Sequence, residues 1–482
     1  MALIGYGALL VAHLGLGFGG CDATGYANTA RDILSRRIVQ PIAAVERLGL
    51  PDRFDRAFIP LAHVPGPRAG TMVPMYPPGF PLHVAAAALL GGWGLGPFLL
   101  SPLAAVACIL LVYFLGREVG LSPPLATAAG AMFGVCPVVF YQAVQPMSDV
   151  VAAMWAAAAV LCALRSHRGD AWAAAAGVAF GIAVLVRPTN ALLLLPILVA
   201  IRWRPRTLLA FALGGLPFAG IFAVWNRAAF GSAVRTGYSG LLGAELAASN
   251  FPPRFAHYSY WIAAQLSPLV PLGWLGATAE PRIPARTRAL LFLWFAPSFV
   301  FYCFWGPYDI WWYTRYLLPA LPALILAFLL CARELVRRIP AGGPIAWRRP
   351  RVLATVALVA IVATCERRFE RRYRPLGASR GQVVFPEASR AIAARAAGGH
   401  ALVVSADFSG ALRFYTDLTP VRWEWLNAED FTELRLRAAQ RREPIFAVLL
   451  ASEVPQAVPH VPGAWKFLEK VRGASLWELP PP

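Results

Sequence analysis

GFPLHVAAAALLGGW, residues 79–93, is an apolar stretch whose reading orients the whole chain. A helix needs about 20 apolar residues to cross the roughly 30 Å hydrocarbon layer, so this segment is short for a crossing. Around it, apolar runs recur near 3–19, 97–116, 125–141, 148–164, 171–187, 190–201, 207–225, 258–279, 289–305, 317–332 and 352–365. With 58% hydrophobic and only 14% charged residues in 482, the composition is that of a membrane protein.

Charge decides whether 79–93 crosses. If it lies flat on the outer surface, the short loops on one side hold fifteen arginines: 117, 165, 168, 202, 204, 206, 282, 286, 288, 333, 337, 338, 348, 349 and 351. Only Arg187 and Arg315 fall in the short loops opposite. The positive-inside rule then puts the fifteen in the cytoplasm and residues 20–96 outside. The net charge of +19 is therefore largely topological and needs no nucleic acid, whose binding patches are contiguous.

The seven cysteines show no CxxC spacing and none follows Cys365, so they read as small hydrophobic residues. GGCD at 19–22 is close to a lipoprotein cleavage site, but no basic segment precedes the apolar run, and an uncleaved first helix is expected.

The expected architecture is mostly α: a polytopic membrane helix bundle of about eleven transmembrane helices, a long outer loop of juxtamembrane helices, and a small C-terminal α/β domain. Residues 1–365 form the membrane domain, including the outer loop 20–96, and 366–482 the α/β domain. In that domain VVFPEASRAIAARAAGG reads as a helix, ALVVSAD as a strand, LRFYTDL as a strand, AEDFTELRLRAAQRR as a helix and PIFAVLLAS as a strand. Eleven spans put it outside; the five arginines of ERRFERRYR (366–374) argue for the cytoplasm, and both placements stay open.

In the outer loop, Tyr26, Ala30, Ile33, Leu34 and Ile38 recur at helical spacing, with Asn28, Arg31, Asp32, Ser35 and Arg36 on the other face. This is the pattern of a helix in the headgroup layer. Asp22 stands at its start, where an N-cap contributes about 1 kcal/mol and would by itself account for an aspartate.

Twelve acids precede Cys365, and four fall near the outer ends of helices: Asp22, Asp149, Glu245 and Asp309. On the same side are Arg187 in LVRPTN and Arg315 in WWYTRYLLPALP, amid Tyr308, Trp311, Trp312, Tyr313 and Tyr316. Charge so close to hydrocarbon is costly and commonly functional, although aromatic belts and terminal arginines also anchor helices, and Ser148 and Asp149 follow Pro146 as an ordinary cap would.

The chain resembles the membrane glycosyltransferases of superfamily C, in particular the relatives of the protein O-mannosyltransferases and of the lipid A aminoarabinose transferases. The resemblance rests on CDATGYANTARDIL, MYPPGFPLHVAAAALLG, AFGIAVLVRPTNALLLLP, WNRAAFGSAVRTGYS and YTRYLLPALPAL, in family order across residues 1–330. It implies a periplasm-facing cavity in a bacterial inner membrane, where a polyprenyl-phosphate sugar gives up a hexosyl or pentosyl group to a lipid, glycan or protein acceptor. The family's acid after the first helix falls on Asp22, as general base or as holder of the acceptor through a metal. Two departures stand out: Ala23 occupies the place of a frequent second acid, and Tyr76 that of a lysine before the proline pair Pro77 and Pro78.

The chemistry asks for a carboxylate to deprotonate the acceptor hydroxyl, typically a 10²- to 10⁴-fold contribution, and for cations to hold the departing phosphate. Asp22 suits the first task; Arg187 and Arg315, whose planar forks match phosphate oxygens, suit the second, with Asp149, Tyr76 and Tyr316 as further substrate contacts. Pro77 and Pro78 either start a helix or fix the loop that closes the cavity. The histidines His63, His83 and His257 show no ligand spacing, while the family contains metal-using and metal-free members, so a divalent metal stays open. A lipid or polysaccharide transporter is the alternative, disfavoured by the absence of a visible repeat. A non-catalytic relative that only binds a lipid-linked sugar is another, prompted by Ala23 and Tyr76.

Overall fold

The computed structural model describes residues 1–239, 245–306, 309–339, 350–396 and 400–481; Tyr308, Arg348 and Arg349 lie outside the described residues. The first apolar run is helical only as α1 (Ala2–Ala12), and α2 follows at Gly20–Leu34. Between them the run 3–19 leaves the helix because its glycines serve close approach. A Cβ at Gly15 would stand 2.2 Å from the Ser379 carbonyl oxygen, and one at Gly19 2.0 Å from the Phe385 ring.

The outer loop continues through β1 (Gln40–Pro41), α3 (Ala43–Leu48), α4 (Asp55–Phe58), β2 (His63–Pro65) and β3 (Thr71–Pro74), and the three strands pair antiparallel in the order β1-β3-β2. Then comes α5 (Gly79–Glu118), which is two arms rather than a rod of 40 residues: Gly92 takes φ 68, ψ 162. A Cβ on Gly96 would lie 2.0 Å from the Ala87 carbonyl oxygen, although nine residues of straight helix span about 13.5 Å. The chain doubles back at a glycine corner.

The bundle helices are α6 (Pro123–Val135), α7 (Pro137–Ala143), α8 (Ser148–Arg165), α9 (Asp170–Val186), α10 (Leu194–Ala200), α11 (Pro205–Phe230), α12 (Phe251–Leu266), α13 (Leu269–Ala279), α14 (Ala285–Phe304), α15 (Leu321–Arg338) and α16 (Pro350–Tyr373). Among the described residues five helical stretches are long and apolar enough to cross a membrane: 79–118, 148–168, 205–230, 285–304 and 311–338. The pair α6 and α7, bent by 59°, makes a sixth. Several runs that read as single spans are broken, and prolines do the breaking. The residue before a proline is driven to extended geometry and the proline lacks an N–H. Thus 125–141 breaks at Cys136 (ψ 126) before Pro137 and 258–279 at Ser267 (φ 94) before Pro268, while Arg187 (ψ 109) before Pro188 separates the runs 171–187 and 190–201.

Two compact units form, and neither follows chain order. The helical unit comprises Met1–His13, Leu99–Ile221 and Gly240–Ala378. Within it α8 and α9 pack through alanines such as Ala152, Ala156, Ala173 and Ala176, all fully buried, as in membrane bundles where small residues let backbones approach. A Cβ at Gly177 of α9 would meet the Phe211 carbonyl oxygen of α11 at 2.0 Å.

The mixed unit comprises Leu14–Phe98, Phe222–Ser239 and Ser379–Pro482. Its sheet runs β5 (Thr419–Val421), β4 (Leu402–Val404), β6 (Ile445–Leu450), β8 (Ala474–Leu479), β7 (Lys466–Val471); the first three are parallel and the last two form an antiparallel hairpin. Strand side chains alternate between faces. Val403, Phe446 and Val448 pack on one face with α17 (Val384–Arg395) and α18 (Ser409–Tyr415). Leu402, Val404, Ile445 and Ala447 pack on the other with α19 (Ala428–Gln440), and there α3 and α4 of the outer loop complete the core through Val45, Leu48 and Phe58, with Phe54 just before α4. The outer loop is therefore a structural layer of the C-terminal sheet. LRFYTDL (412–418), expected as a strand, is the end of helix α18 and the turn before β5, and the hairpin β7–β8 went unread.

α2 is also different from the headgroup helix its pattern suggested. Residues 23–30 are buried all round, Asn28 Nδ2 donates to the Gly410 carbonyl oxygen at 2.9 Å, and Asp32 is held by Arg413 at 3.2 Å. Asn28 and Asp32 on its polar face are thus buried against protein, while Arg31, Ser35 and Arg36 are exposed.

Candidate active site

The sequence-derived residues fall into two groups, one in each unit. In the mixed unit, Asp22 lies in the first turn of α2; the N-cap is Gly19, so Asp22 is not the cap. Its carboxylate accepts a hydrogen bond from Tyr76 Oη at 2.5 Å, and Cys21 Sγ lies 3.4 Å from the same phenol. Tyr76 is buried and packed against Tyr26 (ring centroids 4.7 Å), with Tyr238 on another side at 6.3 Å.

This arrangement needs room where α2 meets the loop. Gly25 supplies it, since a Cβ there would stand 2.2 Å from Ala62 Cβ and 2.6 Å from the Tyr76 ring. Ala62 takes a left-handed φ of 64, a conformation that costs roughly 1–2 kcal/mol in a residue with a Cβ. Its carbonyl accepts from the Met75 N–H at 2.9 Å, which sets the backbone just before Tyr76. Gly237 lies so close that a Cβ would be 2.1 Å from the Met75 carbonyl oxygen. Three of the quoted motifs, CDATGY, MYPPG and VRTGYS, therefore meet in space.

Burial, with the Asp22 carboxylate next in weight, pushes the Tyr76 phenol well above its ordinary value and the Cys21 thiol up to about 11. Both keep their protons at neutral pH, so Tyr76 is a donor to the Asp22 carboxylate.

In the helical unit, Asp149 is fully buried in the first turn of α8, where the helix dipole favours a negative charge. The N-cap is Met147, so neither Ser148 nor Asp149 is the cap. Arg187 Nη2 donates to Asp149 Oδ1 at 2.6 Å, and Arg315 Nη1 lies 3.9 Å from Asp149 Oδ2. Arg187 occupies the helix break before Pro188; the Ala183 carbonyl accepts from the Arg187 N–H at 3.0 Å and also from Asn190 Nδ2 at 2.9 Å. Arg315 sits in a 3₁₀ segment, Trp311–Ala320, long for that helix type. Thr314 and Gln265 pin the segment: Gln265 Nε2 donates to Thr314 Oγ1 at 2.9 Å, while its Oε1 accepts from the Val138 N–H at 3.0 Å across the α6–α7 break.

Tyr313 and Tyr316, three residues apart and so on one side of a 3₁₀ turn, both lie 5.3 Å from the Arg315 guanidinium; Tyr316 is also 5.4 Å from that of Arg187. Tyr302 stacks on Tyr316 at 5.0 Å and pairs with the Thr189 hydroxyl at 2.7 Å. Nothing in the sequence singled out Tyr302 or Thr189. Of these three charged groups two are cations and one an anion, which leaves one excess positive charge among largely buried side chains, a disposition suited to an anionic ligand.

The other two acids go elsewhere. Asp309 is mostly exposed and pairs with Arg254, with His257 at 3.9 Å, while Glu245 holds the Gly306 N–H through its backbone carbonyl at 2.9 Å. Among the described residues no group of three or more His, Cys, Asp or Glu is placed to hold a metal, and the phenol and thiol around Asp22 do not make a hard-cation site.

The fold is that of the superfamily C membrane glycosyltransferases. Residues 76–224 match the family model described as dolichyl-phosphate-mannose-protein mannosyltransferase. The crystal structure of ArnT from Cupriavidus metallidurans bound to undecaprenyl phosphate aligns with a TM-score of 0.53 and 14% identity over 99% of this chain and 97% of that one. The Archaeoglobus fulgidus oligosaccharyltransferase in its apo form gives 0.53 and 13%, covering 92% and 69%. The mycobacterial arabinofuranosyltransferase AftD gives 0.54 and 14%, covering 99% and 41%. No curated protein sequence matches the chain.

Proposed function

We propose that the chain is a membrane glycosyltransferase that moves a sugar from a polyprenyl-phosphate donor to an acceptor hydroxyl at the periplasmic face of a bacterial inner membrane. The observation that carries this reading is the pair of guanidiniums, Arg187 at a helix break and Arg315 in a 3₁₀ segment, gathered on buried Asp149: a site for a phosphate in an apolar bundle. The fold likeness to an ArnT structure that holds undecaprenyl phosphate supports it.

In this reading the acceptor oxygen attacks the anomeric carbon, the bond from that carbon to the phosphate oxygen breaks, and Asp22 takes the hydroxyl proton. Tyr76 holds the carboxylate in place, and the arginines stabilise the phosphate that leaves on its lipid. No step is routed through a metal.

The topology that fits has eleven crossings, a cytoplasmic N-terminus, and residues 20–96 and 366–482 outside. The arginine asymmetry supports it, and so does the mixed unit, because residues 14–98, 222–239 and 379–482 can share one core only on the same side. The glycine corner supports a 79–91 arm that lies at the surface.

One observation favours a second reading, a relative that binds a lipid-linked sugar without transferring it: the Asp22 carboxylate already accepts a hydrogen bond from the Tyr76 phenol. Mass spectrometry of the envelope of a deletion strain tests the proposal. One glycan or lipid lacking one sugar is expected, with the undecorated carrier accumulating; an unchanged envelope would contradict transfer.

A further inference from the structure

Where α13, α15 and α16 come together in the helical unit they enclose a groove of about 620 Å³, within the roughly 300–1,000 Å³ of ordinary ligand sites. Its walls are apolar, formed by Leu269, Leu272, Phe328, Leu335 and Leu358. Two glycines bring α13 close to α15: a Cβ at Gly273 would be 2.6 Å from the Phe328 ring and one at Gly276 2.7 Å from Cys331 Sγ.

One end of the groove is charged. Arg338 donates to Glu280, whose Oε1 also accepts from the Arg282 backbone N–H at 3.3 Å. Arg338 and Glu280 line the groove, and Arg282 follows its lining residue Pro281, so two guanidiniums stand against one carboxylate and leave one positive charge in excess at this end.

An apolar groove between membrane helices that ends in arginines matches a molecule with a hydrocarbon chain and an anionic head. We propose that this groove binds one anionic phospholipid, its acyl chain along Leu272 and Phe328 and its phosphate beside Arg338 and Arg282. The site is separate from the Asp149 group and independent of the proposed sugar transfer. A zwitterionic lipid would gain the same apolar contacts but little from the charge excess, so head-group preference is what distinguishes a site from general lipid contact.

Native mass spectrometry of the full-length protein in detergent, titrated with phosphatidylglycerol or phosphatidylethanolamine, tests this. Wild-type protein should retain one phosphatidylglycerol at least tenfold more tightly than phosphatidylethanolamine. Arg282→Gln combined with Arg338→Gln should abolish the preference, and Ala332→Phe, which fills the groove, should abolish retention of both. If Arg338→Gln fails to fold because Glu280 loses its partner, Arg282→Gln alone should still reduce the preference. Equal retention of the two lipids by wild type, or phosphatidylglycerol retained unchanged by folded Ala332→Phe protein, would overturn the proposal.

Discussion

Tyr76 and Cys21 make the Asp22 geometry measurable at the scale of single residues. The phenol gives Asp22 a hydrogen bond to a charged acceptor, an interaction typically worth about 1.5–3 kcal/mol. Tyr76→Phe should therefore lower the transfer rate about ten- to a hundredfold with donor KM unchanged; a kinetic comparison with wild type checks this. Because Tyr76 is pushed well above pH 10, its ionisation should cause no alkaline loss of activity up to that pH. The Cys21 thiol, raised to about 11 partly by Asp22, should alkylate slowly at pH 8, and Asp22→Asn should speed it, because removing the negative charge lowers the thiol's pKa and increases the thiolate fraction. Peptide mass spectrometry of alkylated protein reads this without an activity assay. In the helical unit, Arg187→Ala leaves buried Asp149 without its closest cation and should cost about 3–5 kcal/mol, seen as a large fall in melting temperature. Asp149, Arg187 and Arg315 were legible in the sequence because charge is rare between apolar runs. Tyr302 was not, since one aromatic among many carries no mark until its ring is found on Tyr316.

Element by element, the sequence was most readable where a period was long. α8, α11, α14, α17 and α19 follow from apolar runs or amphipathic spacing. α18 failed because its seven residues give less than two full helical periods, and the alternation of LRFYTDL imitates a strand. α2 failed differently: its polar residues were counted as a face for the lipid headgroups, whereas Asn28 and Asp32 are satisfied by Gly410 and Arg413, nearly four hundred positions away. Such partners leave no local signal. The dependence of α2 on close approach gives a test. Gly25→Ala places a Cβ against Ala62 and the Tyr76 ring, so it should destabilise the protein by about 1–3 kcal/mol and weaken the Tyr76–Asp22 hydrogen bond. Melting temperature and the Cys21 alkylation rate, taken together, check both effects.

At the scale of the whole molecule, the mixed unit ties the two ends of the sequence together. Arg47 on α3 forms a bidentate pair with Glu443 at 2.7 and 3.0 Å, and α3 and α4 fill one face of the C-terminal sheet. The sequence showed a sheet domain and a long loop but not that they share a core, because no residue pattern encodes a partner so distant along the chain. A protein cut after residue 378 should therefore fail to give a monodisperse peak in size-exclusion chromatography, while a full-length chain with its backbone cleaved near 374 should stay associated. The central claim is that Asp22 removes the acceptor proton while arginines hold the lipid phosphate. Purified Asp22→Asn protein, given a radiolabelled polyprenyl-phosphate sugar and cell-envelope acceptor, tests it most directly: donor binding should match wild type while transfer falls by at least a hundredfold. Transfer at the wild-type rate with that carboxylate neutralised would contradict the account.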